Sequence, residues 1–103
     1  MGINEPRLTT QTLKVVTGLM SGMPEGISGA EIARSTKLAS GTIYPILLRL
    51  EEAGWVESHW ETGDPHELGR PRRRFYRVTG VGRRRARAAF REILLPLKEF
   101  AWR

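Results

Sequence analysis

The residues best suited to chemistry in this sequence are arginines, and they are concentrated in one segment. Residues 69–77 read GRPRRRFYR, which places five arginines in nine positions. A guanidinium group stays charged at physiological pH, and its planar fork of N–H donors matches a phosphate group or a guanine edge. From residue 68 to residue 91 there are ten arginines and no acidic residue, whereas the rest of the chain has seven basic and eleven acidic residues. This segment is therefore predicted to bind a polyanion.

The remaining polar residues offer little for catalysis. His59 and His66 have no cysteine partners and no carboxylates at metal-ligand spacing. The stretch from Gly80 to Gly82 is followed by arginines and does not complete the glycine pattern of a dinucleotide site. We therefore predict a protein that is not an enzyme and that has no catalytic residues, no metal and no cofactor.

The overall composition indicates one small folded domain. A chain of 103 residues is close to the size at which a single hydrophobic core folds alone, so dimerisation would help it. Its 40% hydrophobic and 27% charged residues are typical of a folded, soluble protein, and no apolar run approaches the ~18 residues of a membrane-spanning helix. Because the sequence also lacks cysteine and a signal-peptide pattern, we predict a cytoplasmic protein without a membrane partner.

The arginine segment must be positioned by regular elements, and the spacing of apolar and capping residues predicts several. The first half contains a helix from Thr9 or Thr10 to about Gly22, a helix from the S-x-x-E start at Ser28 to about Thr36, and a helix over residues 40–53 capped by Ser40. The second half contains a strand over 55–61, a loop over 62–73, a strand over 74–78 and a long helix capped by Thr79. Pro96 is expected to kink this last helix or end it near Leu95.

This order of elements predicts a winged helix-turn-helix, a mostly α fold with a small two-stranded β-hairpin. In such folds the second helix of the helix-turn-helix, here residues 40–53, enters the major groove of DNA. The arginine run falls at the tip and return strand of the hairpin, where a wing would contact the backbone or the minor groove. The expected partner is double-stranded DNA, and the expected location is the nucleoid.

Several motifs strengthen this interpretation. They are GTIYP at residues 41–45, RLEEAGWV at 49–56, GRPRR at 69–73, FYRVT at 75–79, and GR at 82–83. In this order and spacing they resemble the PadR family of transcriptional regulators over about residues 10 to 90. The resemblance implies a dimeric DNA-binding repressor that acts at promoters, including its own, with the C-terminal helix forming the dimer. The family usually begins that helix with Thr-Pro-Glu-Gly, whereas this chain has Thr79, Gly80, Val81 and Gly82.

The residues predicted to contact DNA lie in the third helix, the turn before it and the wing. They are Lys37, Ser40, Thr42, Tyr44, Pro45, Arg49, Arg70, Arg72 and Arg73. Tyr44 matches a family position whose hydroxyl contacts the DNA backbone, although packing beside Leu48 is an equal alternative. For Arg49 the alternative to a DNA contact is a salt bridge to Glu52.

The last helix has more apolar residues than a small core needs, so we predict that it forms a dimer seam against helix one of the partner. The predicted interface residues are Leu13, Val16, Phe90, Ile93, Leu94, Leu97, Phe100 and Trp102. The alternative is that these residues pack onto the core of their own chain. The predicted organisation is an arm over residues 1–8, a DNA-binding domain over 9–78 and a dimerisation helix over 79–103, with any small aromatic effector at the dimer interface. The competing functional hypothesis is a non-specific, architectural nucleic-acid-binding protein.

Overall fold

The computed structural model describes residues 6–22 and 25–101, the last four of these by their backbone alone. In chain order the elements are α1 (Thr10–Ser21), β1 (Ile27–Ser28), α2 (Gly29–Thr36), α3 (Ser40–Glu52), β2 (Val56–Trp60), α4 (Pro65–Leu68), β3 (Arg74–Val78) and α5 (Gly80–Ala101). The described fold is mostly helical with a small antiparallel sheet, and it confirms the predicted winged helix-turn-helix. Within this part of the chain, every helix is too short or too polar to span a bilayer.

The starts of α1 and α2 are fixed by the capping residues that the sequence indicated. The Thr9 hydroxyl accepts a hydrogen bond from the Thr12 backbone N–H at 3.1 Å. The Ser28 hydroxyl likewise accepts from the Glu31 N–H at 3.2 Å and donates to the Glu31 carboxylate at 3.1 Å. Each cap satisfies a backbone donor that the first helical turn leaves without a partner. Lys37 then adopts the left-handed conformation, with φ of 61°, which ends α2 and turns the chain toward α3.

The start of α3 differs from the prediction, because Ala39 and not Ser40 occupies the cap position. Ala39 has an extended backbone, and its carbonyl accepts hydrogen bonds from the N–H groups of Thr42 and Ile43. Ser40 is already the first helical residue, and α3 has no side-chain cap. The helix continues through Pro45, and Gly54 follows its end with φ of 79°, as a C-terminal glycine should.

The sheet has three strands in the order β1, β3, β2, whereas the sequence indicated only two. In β2 and β3 the paired residues include Val56 with Val78 and Ser58 with Tyr76. The extra strand, β1, is two residues long and pairs Ile27 with Tyr76. A segment this short has no periodicity to detect, and it becomes a strand only because β3 offers it a free edge.

The core lies between the first three helices and the inner face of the sheet. Its members are Val15, Val16, Leu19, Ile27, Ile32, Ile43, Ile46, Leu47, Leu50, Trp55, Val56, Tyr76, Val78 and Ala86. Among the described side chains of α5, those of the first turns reach this core, since Ala86 is buried and Phe90 packs against its edge. The helix then runs through Pro96 to Ala101, so it does not end near Leu95. Pro96 has no backbone N–H, so one hydrogen bond of the helix cannot form there.

The start of α5 is held closely against residues 54 and 55, the turn between α3 and β2. The Thr79 hydroxyl caps α5 by accepting from the Gly82 N–H at 3.0 Å, as predicted, and donates to the Gly54 carbonyl at 2.6 Å. The Thr79 N–H also donates to the Trp55 carbonyl at 2.9 Å. A side chain at Gly82 would overlap the Trp55 backbone, because its Cβ would lie 2.8 Å from both Cα and the carbonyl carbon. Only glycine allows this approach.

Candidate nucleic-acid interface

The wing is formed by β2, β3 and the connecting residues 61–73, and its two limbs are joined near Glu61. The Glu61 N–H donates to the Arg73 carbonyl at 2.7 Å, and the Arg73 N–H donates back to the Glu61 carboxylate at 3.2 Å. The connection also contains α4, which the sequence prediction treated as loop. Asp64 caps this short helix by accepting from the His66 N–H at 3.1 Å, and Pro65 occupies its first position. The Asp-Pro pair was the available signal for it.

Arg70 was predicted to contact phosphate, but its guanidinium is occupied within the wing. It donates to both oxygens of the Glu61 carboxylate, at 2.7 and 2.9 Å. These hydrogen bonds, together with the one from the Arg73 backbone, lower the pKa of Glu61 from 4.5 to about 2. The same pair raises the pKa of Arg70. The positive charge of Arg70 is thus largely neutralised by an acid that lies outside the arginine run.

Two more arginines of the run are also paired with carboxylates. Arg74 lies on the inner face of the wing, where it donates to the Ser58 hydroxyl and approaches the Glu51 carboxylate of α3 at 3.5 Å. Arg77 forms an ion pair with Glu57 on the outer face. The absence of acids from the segment in sequence therefore overstated its charge, because β2 and α3 supply acids to it in the fold.

Arg72 and Arg73 remain available at the surface. Arg72 uses its Nε to donate to the Gly63 carbonyl at 2.7 Å, and its two terminal nitrogens make no further hydrogen bond within the described residues. In the same part of the chain, the Arg73 side chain has no hydrogen-bond or ion-pair partner, and both side chains are exposed. Arg72 and Arg73 are therefore the predicted wing residues whose guanidinium groups keep donors available to an external partner.

The predicted α3 residues form an exposed face, apart from Thr42, which is half-buried. Ser40, Pro45 and Arg49 are exposed, and so is Lys37 in the turn before the helix. Within the described residues, Arg49 makes no ion pair with Glu52, so that alternative is not observed. Its side chain is accessible to an external partner.

Leu48, one turn beyond Tyr44 on the same face of α3, is 56% exposed. The Tyr44 ring lies against the start of α2, where a Cβ on Gly29 would come within 2.5 Å of the Tyr44 hydroxyl oxygen. Glycine at position 29 therefore allows the tyrosine to lie across the N-terminus of α2. Tyr44 remains 48% exposed in this position, so its hydroxyl stays accessible.

A groove of about 450 Å³ separates this part of the helix-turn-helix from the wing. It is lined by Ser28, Gly29, Ala30, Tyr44, Trp60, Arg72, Arg73, Arg74 and Tyr76. The groove brings the predicted residues Tyr44, Arg72 and Arg73 onto one side of the molecule. Trp60, which was not among the predicted site residues, is 59% exposed and also lines the groove. The Arg74 guanidinium lies over the Trp60 ring, 5.6 Å from its centre.

The residues predicted for the dimer seam differ in how exposed they are. Ile93, Leu94 and Leu97 are 40–59% exposed on α5, while Phe90 is partly buried against the core of its own chain. Val16 is 3% exposed and belongs to the core, so it presents no surface to a second copy; Leu13 is half-buried. The side chain of Phe100 and all of Trp102 lie outside the described residues.

The exposed part of α5 also carries an apolar depression of about 820 Å³. Its lining residues are Arg87, Phe90, Arg91, Leu94, Leu95 and Leu97. Leu95, which is 57% exposed, was not among the predicted interface residues. Within the described residues there is no group of three acidic or histidine side chains that could hold a metal ion.

Comparisons with known proteins agree with this architecture. The family model described as the transcriptional regulator PadR-like family matches residues 29–88. A PadR family regulator from Clostridium difficile R20291 superposes with a TM-score of 0.73 at 22% identity, covering 91% of this chain and 97% of the other. A PadR family regulator from Eggerthella lenta gives 0.69 at 24% identity, over 89% and 80% of the two chains.

A further solved structure with a similar fold is the MepR–DNA complex of S. aureus. It superposes with a TM-score of 0.67 at 17% identity, covering 92% of this chain and 71% of the MepR chain. A comparison with curated proteins finds no match for the sequence. Because the solved structures are 17–24% identical to this chain, they establish its fold alone. The family model matches the amino-acid sequence directly, over residues 29–88.

Proposed function

Because this chain belongs to the PadR-like family of transcriptional regulators, whose model matches residues 29–88, we propose that it is a dimeric repressor that binds specific promoter DNA in the nucleoid. Its own promoter is the first candidate operator. Membership of this family also agrees with the prediction that the chain is not an enzyme. The alternative is an architectural protein, which would bind DNA without sequence preference. Binding measurements on duplexes of different sequence distinguish the two functions.

The observation that carries the proposal is the placement of two unneutralised arginines beside an exposed helix. Arg72 and Arg73 form one wall of the groove, and Tyr44 of α3 forms another. In this proposal α3 enters the major groove, where Thr42 and Arg49 contact base edges, with Ser40, Pro45 and Lys37 beside them. The wing then lies on the backbone or in the minor groove. Such a division is general, because phosphate contacts supply affinity and base contacts supply sequence preference.

We propose that the dimer forms through α5. Leu94 and Leu97 are 57% and 59% exposed, although leucine side chains usually lie inside proteins. A second copy is the proposed partner of this face, since a small chain gains buried area by self-association. A small aromatic effector is proposed at the same interface, where the apolar depression lies beside Arg87 and Arg91. The MepR neighbour, whose structure contains DNA, supports a nucleic-acid partner for this fold.

The proposed organisation follows the predicted boundaries with one adjustment. The arm over residues 1–8 precedes the DNA-binding domain, and the dimerisation helix follows it. Since Ala86 is buried in the core, the DNA-binding unit includes the first turns of α5 beyond residue 78. The dimer surface then begins near Phe90.

Fluorescence anisotropy with two duplexes tests this function. One duplex is the fragment upstream of the gene itself and the other is a shuffled fragment of equal length and composition. The unmodified protein should bind the promoter duplex more tightly, and log K should fall with log salt concentration by about 0.9 per phosphate contact. Thr42→Ala and Arg49→Ala should reduce the ratio between the two affinities. Equal binding of these two duplexes would exclude the protein's own promoter as the operator. Equal binding of every sequence by the unmodified protein would refute sequence specificity and favour the architectural alternative.

A matched pair of wing variants tests the role of the free arginines. Arg73→Ala should weaken binding to both duplexes alike and reduce the salt slope by about 1.8, the value for one phosphate contact in each of the two protomers of the proposed dimer. Arg77→Ala removes the same charge from the same hairpin, but Arg77 is already paired with Glu57. It should therefore change the slope much less. If the two variants had equal effects, the wing would act only through its net charge.

A further inference from the structure

Glu61 lies in the wing beside the arginines that are proposed to approach DNA, where a negative charge is unfavourable. An isolated carboxylate there would repel phosphate and weaken binding. In the fold this side chain is only 19% exposed, and it accepts three hydrogen bonds, two from the Arg70 guanidinium and one from the Arg73 N–H. Its low pKa, about 2, keeps it ionised throughout the physiological range.

These hydrogen bonds connect the two limbs of the wing at the point where the free arginines begin. Glu61 ends the outgoing limb and holds the returning limb through the backbone of Arg73, while Arg70 is drawn against it from the loop. Arg72 lies between these two anchored positions and is tied once more through Gly63. The geometry therefore fixes the backbone from residue 70 to residue 73, from which the Arg72 and Arg73 side chains project.

We infer that Glu61 is a positioning residue for DNA binding, one that raises affinity by holding Arg72 and Arg73 in place despite its own negative charge. The inference rests on the proposed function, since it concerns the same wing and the same partner. The sign of the effect is a direct test, because simple electrostatics and positioning predict opposite changes in the affinity for DNA. Removal of the acid strengthens binding if only charge matters, and weakens it if position matters.

Glu67 provides a matched control for this test. It lies on α4 in the same wing, it is exposed, and within the described residues its side chain makes no hydrogen bond or ion pair. Glu67→Gln and Glu61→Gln therefore change the net charge equally. The slope of about 0.9 per phosphate corresponds to about fivefold in affinity per contact at 0.15 M salt. Glu67→Gln should leave binding unchanged or tighten it. Glu61→Gln should lower the salt slope by about one contact in each protomer, which weakens binding by the proposed dimer by about 30-fold.

Two further measurements separate positioning from general stabilisation. Melting temperatures of all variants are recorded, and binding is measured well below them, so that each protein is folded in the assay. A residue that only stabilises the fold would lower the melting temperature and leave the salt slope unchanged. In an Arg72→Ala/Arg73→Ala background, Glu61→Gln should cause no further loss, because the side chains that it positions are absent. An equal further loss in that background would contradict the inference.

Glu61→Asp gives an independent test if the glutamine variant folds poorly. It preserves the charge and withdraws the carboxylate by one methylene, so weaker binding with a smaller salt slope is expected. Binding like that of the unmodified protein would overturn the inference, as would a Glu61→Gln variant that tightens in parallel with Glu67→Gln. If the unmodified protein shows no salt-dependent duplex binding, the proposed function fails and this inference fails with it. If the unmodified protein binds DNA as proposed but Glu61→Gln binds more tightly, the proposed function stands and only the positioning role of Glu61 is refuted.

Discussion

Replacement of Gly82 by alanine tests how closely α5 is held against the DNA-binding domain. The added Cβ would overlap the Trp55 carbonyl oxygen and lie 2.8 Å from the Trp55 Cα and carbonyl carbon, well inside the ~3.5 Å at which carbon atoms pack. Backbone cannot rotate away as a flexible side chain would, so α5 must shift. Overpacking of this kind costs about 1–3 kcal/mol. Weakening of the bond between Thr79 and Trp55 adds about 1 kcal/mol, while better helix propensity returns about 1 kcal/mol.

The net expectation for Gly82→Ala is a loss of about 1–3 kcal/mol, or about 5–20 °C in melting temperature for a domain of this size. Gly80 is the matched control, because a Cβ there meets only the flexible end of Arg84 at 3.6 Å. Gly80→Ala should be neutral or more stable by up to ~1 kcal/mol. Thermal denaturation followed by circular dichroism measures both variants at equal protein concentration. Equal melting temperatures would refute the close approach of α5 to the turn at residue 55.

Three other outcomes are expected from the structure. Ionised Glu61 stabilises the fold above about pH 4.5, the ordinary pKa of a glutamate, and this stabilisation is lost as the pH falls toward 2. Glu61→Gln should therefore flatten the dependence of the melting temperature on pH over that range. An unchanged dependence would contradict the pKa shift. In Gly41→Ala the added Cβ meets no atom within 4 Å, so the free energy of unfolding should rise by up to ~1 kcal/mol. The same variant should bind DNA more weakly if the start of α3 approaches DNA closely. Leu94→Asn/Leu97→Asn should convert a dimer into a folded monomer in sedimentation at micromolar concentration, and an unchanged mass would place the interface elsewhere.

The sequence predicted those elements whose signals are local and repeated. The capping residues Thr9, Ser28 and Thr79 act where they were placed, because an N-terminal cap depends on atoms within three residues. Apolar periodicity in α3 likewise identified its buried face. By contrast, β1 exists only through pairing with β3, and α4 is a single turn, so neither has a period to find.

The site was predicted less completely than the fold, since its electrostatics depend on contacts that are distant in sequence. Arg70 meets Glu61 across nine residues, and Arg74 approaches Glu51 across twenty-three. Counting charges along the chain could not show that these arginines are neutralised while Arg73 is not. The groove position of Trp60 was missed for the same reason, because alternation along a strand does not show where the core ends.

The contact of the start of α5 with residues 54 and 55 also affects the distance between the two DNA-binding domains of the proposed dimer. Residues 54 and 55 lie just after α3, so α3 and α5, the proposed reading and dimerisation helices, meet at this turn. At 1.5 Å per residue, α5 is a lever of about 33 Å, comparable to the ~34 Å between successive half-sites on one face of DNA. A tilt of about 5° at this turn moves its far end by about 3 Å, close to the rise of one base pair. In the proposed dimer, changes at Gly54 or Gly82 would thus alter the preferred spacing of operator half-sites while leaving the sequence read within each half-site unchanged.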